Sequence, residues 1–347
     1  MSWLLGSRVH PLFQMSWHRC KRILLCSQQK QDPAMLRSTL LLGITLGWIT
    51  PPYLAQSTED ELEQIEISVE DFVFDALAAG PQDGELVLLL HGFPQAGYAW
   101  RNQLPVLAAL GFRVVAPDQR GYSVGARPPE ESDYVMEELV GDVLGMATAL
   151  GYERFHVVGH DWGAAVSWIL ASSVPERVQS VAALSTPHMT AFARALSDPN
   201  SAQSQASSYM TMFRSAGSEQ LFLANEAQLL RSILSQFSSS ETDLDTYLSV
   251  LGTPDALRAA LNWYRSAIPS QGDAPPASPA MVTIPTLYVW STEDCCFVRG
   301  TAEASEEFVT GPYQFEILEG VSHWIAEEAT DKLNELLIEH LEQWRGR

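Results

Sequence analysis

The residues with the clearest chemical potential are Asp161, Asp294 and His323. Asp161 sits in Gly159-His160-Asp161-Trp162-Gly163-Ala164, directly after the apolar run Phe155–Val158. Small residues two positions either side of a reactive one are what a tight strand-to-helix turn requires, because the helix packs close to the strand and the middle side chain is held up at its mouth. An aspartate there is already ionised at neutral pH, with a reference pKa of about 3.9, so no base is needed to activate it. Attack on an ester would give a mixed anhydride, an uphill product. Attack on an sp³ carbon bearing a leaving group gives an alkyl ester that water can cleave. That second step needs a base, and a His–Asp pair supplies one. Asp294 follows the run Thr286–Trp290, with Glu293 as its neighbouring rival, and His323 lies in Gly320-Val321-Ser322-His323-Trp324. The chain order is nucleophile, acid, histidine. His156, His188 and His340 lack such a setting and read as structural.

These residues must be held by an alternation of strands and helices. Ile65–Leu77 alternates apolar and polar residues like one early antiparallel strand. Leu86–Leu90, Phe112–Ala116, Phe155–Val158 and Val181–Leu184 are continuous apolar runs, expected of strands buried on both faces. Leu104–Leu110, Tyr134–Leu150 and Gly163–Ser173 between them carry helical periodicity. The pattern predicts an α/β chain with a doubly wound, mostly parallel sheet. Residues 187–280 show only helical patches (Ser204–Arg214, Glu219–Phe237, Thr242–Leu251, Pro254–Ala267), closed by a linker from Pro269 to Pro279. Strands resume at Thr286–Trp290 and Tyr313–Leu318, and Ala329–Trp344 is an amphipathic helix. We therefore expect a core of residues 58–186 and 281–347, with 187–280 as an inserted helical cap over the sheet's carboxyl edge, where such sheets bind ligands.

Four motifs together (His91-Gly92-Phe93-Pro94, Asp118-Gln119-Arg120-Gly121-Tyr122-Ser123, Gly159-His160-Asp161-Trp162-Gly163 and Gly320-Val321-Ser322-His323-Trp324) resemble those of the soluble epoxide hydrolases, α/β-hydrolases akin to the haloalkane dehalogenases. The likeness runs from about Val69 to Trp344. It implies an oxyanion site made by the backbone N–H groups of Phe93 and Trp162, with a Phe93-Pro94 bond that is often cis in relatives. It also implies two ring-opening tyrosines. Tyr264, in Leu261-Asn262-Trp263-Tyr264-Arg265, matches one such position closely. Tyr209, in Ser208-Tyr209-Met210-Thr211-Met212-Phe213, matches the other more loosely. A tyrosine, with a reference pKa near 10, can protonate the alkoxide that an opening epoxide generates. His91, Pro94, His160 and Trp100 are further candidates for the pocket. The resemblance leaves two other readings open: a haloalkane dehalogenase, with the Trp162 indole holding the halide, and a non-catalytic ligand-binding protein on the same scaffold.

The formal charge of −21 is unevenly spread. Residues 1–57 carry six basic side chains and one acid; the remainder carries 15 basic and 41 acidic side chains, with Lys332 its only lysine. Such a body repels phosphate backbones and anionic lipid, so a small molecule rather than nucleic acid or membrane is the expected partner. Neither metal-ligand spacing nor a glycine-rich phosphate loop is present, so no metal or cofactor is expected. Arg37, the apolar run Thr39–Ile49 and the stretch Ala55-Gln56-Ser57 read as an export signal starting from Met35 and cleaved after Ser57. An uncleaved anchor or organelle-targeting extension is the alternative. Cys20 and Cys26 fall in that segment, and the adjacent Cys295 and Cys296 read as two buried thiols rather than a strained vicinal disulfide.

Overall fold

The computed structural model describes residues 62–238, 240–266 and 281–346. The expected export segment, Cys20, Cys26 and the Pro269–Pro279 linker lie outside the described residues.

Eight strands form one sheet in the order β1-β2-β4-β3-β5-β6-β7-β8. They are β1 (Glu63–Val69), β2 (Phe72–Ala79), β3 (Leu86–Leu90), β4 (Arg113–Pro117), β5 (Phe155–His160), β6 (Val178–Leu184), β7 (Thr286–Glu293) and β8 (Tyr313–Ser322). From β4 to β8 every pairing is parallel; β1 pairs with β2, and β2 with β4, antiparallel. The early region is thus a hairpin, not the single strand expected over Ile65–Leu77. Its turn, Glu70-Asp71, carries no Gly or Asn, yet Glu70 adopts φ 51°, so the usual hairpin signal is missing from the sequence.

The apolar runs became central strands because both faces are covered. All five side chains of β3 are fully buried. On one face Val87, Leu89, Val158, Leu184, Leu287 and Val289 pack with Leu104 and Leu107 of α1 (Leu104–Ala108) and with Leu333, Leu336, Leu337 and Leu341 of the C-terminal helix. On the other lie α2 (Met136–Ala149) and α3 (Trp162–Ser173), the latter packed on β5 and β6.

Among the described residues, six α-helices follow β6 before β7: α4 (Met189–Leu196), α5 (Ala202–Ala206), α6 (Met210–Phe213), α7 (Ser218–Leu234), α8 (Glu241–Leu251) and α9 (Pro254–Ser266). The α7 helix is interrupted at Ala224–Ala227, where Asn225, Glu226 and Ala227 have positive φ. After β7 come α10 (Arg299–Glu303), α11 (Ile325–Glu328) and α12 (Thr330–Trp344). Several polar ties join the insertion to the sheet body. The Trp263 indole N–H donates to the Arg120 carbonyl at 2.8 Å. Arg101 donates both to Glu327, at 2.9 Å, and to Asp243 of α8, at 3.0 Å. Among the described residues, no helix is long and apolar enough to cross a membrane.

Candidate active site

The carboxyl ends of the parallel strands deliver the site, as a doubly wound sheet dictates. Asp161 follows β5 and is the residue before α3, in the strained conformation φ 51°, ψ −116°. The turn leaves no room for larger neighbours. A Cβ on Gly159 would come within 2.2 Å of the Gly163 carbonyl oxygen, and one on Gly163 within 2.1 Å of the Leu90 oxygen. Thr186 braces the elbow by donating its hydroxyl to the Asp161 carbonyl at 2.8 Å.

Asp161 is 6% exposed. Its Oδ1 accepts the Phe93 N–H at 2.9 Å, from the loop after β3, where the Phe93-Pro94 bond is cis. Trp162, first residue of α3, carries an amide that helical geometry leaves without an intrahelical acceptor. The other carboxylate oxygen, Oδ2, faces His323 Nε2 at 3.6 Å. On the far side of the ring, Nδ1 lies 3.2 and 3.3 Å from the two oxygens of Asp294. Asp294 is fixed in turn by the N–H groups of Cys296 and Phe297, at 2.8 and 3.0 Å. The structure thus brings Asp161, His323 and Asp294 together from positions 133 and 29 residues apart. Glu293 ends β7 with an exposed side chain, so the register favours Asp294.

Ser185 had no sequence signal, yet it is central to this arrangement. It ends the β6 connection with φ 70°, donates to Asp294 at 2.6 Å and accepts from His323 Nδ1 at 2.8 Å. The one available clue was its position after a parallel strand beside the nucleophile-bearing one.

Burial pushes the Asp161 carboxyl up, but the His323 imidazole beside it and the Phe93 N–H outweigh burial and hold it below the usual carboxylate range. Asp294 is held low in the same way, chiefly by His323 against the effect of burial. For His323 burial favours the neutral ring, and the two carboxylates reverse this, raising it well above an ordinary imidazole.

Asp161, Trp162, Thr186, Tyr209, Tyr264 and Phe297 are among the residues lining a cavity that holds about 290 Å³ of space, its open mouth included. Tyr209 comes from the segment between α5 and α6, and Tyr264 from α9. Burial, then the charge of Asp161 on Tyr264, keeps that phenol protonated well above its normal range; burial does the same for Tyr209. The Trp162 and Tyr264 rings meet edge to face at 5.0 Å. Met189, Phe192 and Met210 complete the apolar wall; their types carried no distinguishing signal.

The other pocket candidates stand behind the wall. Trp100 is fully buried in the main core with Leu89 and Leu104, so it packs and does not line the cavity. His91 shapes the loop after β3: Nδ1–H donates to the Gly92 carbonyl at 3.0 Å and Nε2 accepts the Gln119 N–H at 3.2 Å. Pro94 is buried in the same loop. His160 donates from Nε2 to the His323 carbonyl at 2.8 Å, fixing the backbone of that residue. His156 bonds Ser180 and Glu85, and His188 caps α4, as structural histidines do.

His91, His156, His160 and His188 are each pushed down to about 4, and His340 to about 3, chiefly by burial. In the unfolded chain these rings take up protons near the reference value of about 6.5. Between those limits the unfolded state binds more protons, so stability falls as pH falls through the window. Asp118, raised by burial to about 6, Asp142, also raised chiefly by burial, and His323, raised by its two carboxylates against burial, work the other way, three groups against five. The denaturant midpoint is expected to be clearly lower at pH 5 than at pH 7; a higher midpoint at pH 5 would contradict this account.

A family profile for the alpha/beta hydrolase fold matches residues 85–330. The AB hydrolase superfamily protein YfhM of Bacillus subtilis is 32% identical over 282 residues, covering 79% of this chain and 96% of that protein. Human epoxide hydrolase 4 is 32% identical over 281 residues, covering 78% of this chain and 76% of its own length. The crystal structure of a Bacillus megaterium epoxide hydrolase with an inhibitor superposes with a TM-score of 0.73 at 27% identity, covering 80% of this chain and all of that one. By sequence and by fold, this chain belongs to the alpha/beta hydrolase fold family and is a hydrolase.

Proposed function

We propose that the chain is an epoxide hydrolase that converts an epoxide to a vicinal diol through an alkyl ester on Asp161. The observation that carries this reading is one cavity lined by a buried carboxylate and two protonated tyrosines. Asp161 Oδ1, held by the Phe93 N–H, becomes the ester carbonyl oxygen, and Oδ2 attacks the epoxide carbon. Tyr264 and Tyr209 hydrogen-bond the epoxide oxygen and protonate it as the ring opens. Alkylation removes the charge of Asp161, so His323 loses one of the two carboxylates that favour its protonated form. The neutral ring, oriented by Asp294 and Ser185, then takes a proton from the hydrolytic water. The Phe93 and Trp162 N–H groups stabilise the oxyanion on the Asp161 carbonyl, and as the ester breaks His323 passes its proton to the departing alkoxide to complete the diol. The proton left on the regenerated carboxyl returns to the tyrosinate.

The helical insertion acts in this reading as a cap that contributes the tyrosines, and relatives named as epoxide hydrolases support it. Side-by-side turnover of an aromatic epoxide and a short haloalkane tests the assignment. Diol from the first without halide from the second is expected; halide release without diol would transfer the chain to the dehalogenase reading. We also propose export directed by residues 1–57, for which a mature N-terminus near Thr58 is the check.

A further inference from the structure

Cys295 and Cys296 take no part in the mechanism above, yet they adjoin its acid. Both are free thiols, half-buried, with sulfurs 3.6 Å apart. Ligand atoms of Cys296, Asp294 and His323 all lie within 4.8 Å of one another. Two thiolates on one tetrahedral zinc, each at about 2.3 Å, stand about 3.7 Å apart. The sulfurs therefore already have the bite of a zinc chelate, and the Asp294–His323 contact of 3.2 Å is as short as such a ligand pair needs. Thiolates with imidazole and carboxylate are a donor set that suits a thiophilic divalent cation over magnesium or calcium. The spacing of 294, 295, 296 and 323 shows no metal motif; the β7–β8 pairing brings His323 beside the loop that carries the others.

We propose that Cys295, Cys296, Asp294 and His323 form an inhibitory binding site for a thiophilic divalent cation, zinc being the natural candidate. On binding, the two thiols and His323 Nδ1–H release three protons to solvent, and the two sulfurs and Nδ1 bond the metal. Asp294 and His323 turn their facing atoms to the same ion, so His323 Nδ1 no longer has its proton held by Asp294. The dication also opposes protonation of the ring, which the hydrolytic step requires. The loop has a second reach, because Gln203 clamps it by donating to the Cys296 carbonyl at 2.8 Å and accepting the Val298 N–H at 3.1 Å. Gln203 lies in α5, six residues before Tyr209.

The binding half is independent of the substrate reading; the inhibitory half rests on it. The test uses the full chain under a non-thiol reductant, with a Cys295→Ser/Cys296→Ser double variant that leaves Cys20 and Cys26 in place. Cadmium alone is titrated while its thiolate charge-transfer absorbance is followed, and zinc inhibition of hydrolysis is measured in parallel. The wild type is expected to show one more cadmium equivalent than the variant. The variant is expected to keep basal hydrolysis while requiring at least tenfold more zinc for half-inhibition. Chelation by EDTA should restore the wild-type rate. Identical cadmium titrations for the two proteins would overturn the site, whether or not any epoxide is turned over. A band lost in the variant, with zinc equally inhibitory to both proteins or to neither, would overturn the inhibitory role.

Discussion

Replacing His323 by Gln is expected to stop the enzyme after one chemical event per chain. Asp161 is ionised without help from a base, so the first step survives the substitution. The second does not, because glutamine cannot take the proton from water. Steady-state turnover is expected to fall by about 10³-fold, within the range that loss of a general base produces. Epoxide added in excess should leave an adduct of its own mass on the peptide containing Asp161, in a ratio approaching one. A His323→Gln protein that loses turnover without accumulating any adduct would remove the covalent ester from the mechanism. The pH dependence of the wild type follows from the same chemistry. His323 must be neutral to accept the proton, so ester hydrolysis is lost as pH falls through its value in the alkylated enzyme. Alkylation persists there, since Asp161 is held below the usual carboxylate range. The adduct that is scarce at neutral pH should therefore become visible in wild-type protein quenched at mildly acid pH.

The second large effect concerns the opposite step. Tyr264→Phe removes one hydroxyl from a ring whose packing against Phe93, Trp162 and Phe213, at 5.6, 5.0 and 5.0 Å, needs only its apolar face. The fold is expected to persist while the leaving alkoxide loses a proton donor, lowering epoxide turnover by about 10²-fold. Tyr209→Phe should cost less while Tyr264 remains, and the double variant more than either alone. Because ring opening becomes limiting, no adduct should accumulate even when His323→Gln is added on a short time scale. A Tyr264→Phe protein with unchanged alkylation rate would leave that tyrosine a packing residue.

These two experiments separate what was legible in the sequence from what was not. The elbow around Asp161 could be read because its constraint is local: small residues are demanded by backbone within 2.2 Å, and that demand is written at fixed offsets. Asp294 and His323 could be placed because the ends of parallel strands share one sheet edge. The hairpin at Glu70 could not, since a two-residue turn between alternating strands preserves an alternating pattern and here lacks a glycine.

Tertiary structure decided the roles that depend on neighbours from elsewhere in the chain. Trp100 sits in an aromatic-rich stretch close after the His91–Pro94 loop, yet the packing of α1 and α12 draws it into the core. Ser185, an ordinary serine by type, becomes the partner of both Asp294 and His323 because β6 lies between β5 and β7. Sequence alone determined the α/β class, the aspartate at the elbow and the chain order in which Asp294 and His323 follow it, all consequences of residue type and short-range spacing. Which aromatics face the cavity, which histidines stay neutral and which thiols adjoin the acid were set by burial and by contacts across the sheet edge, quantities that exist only once the chain has folded.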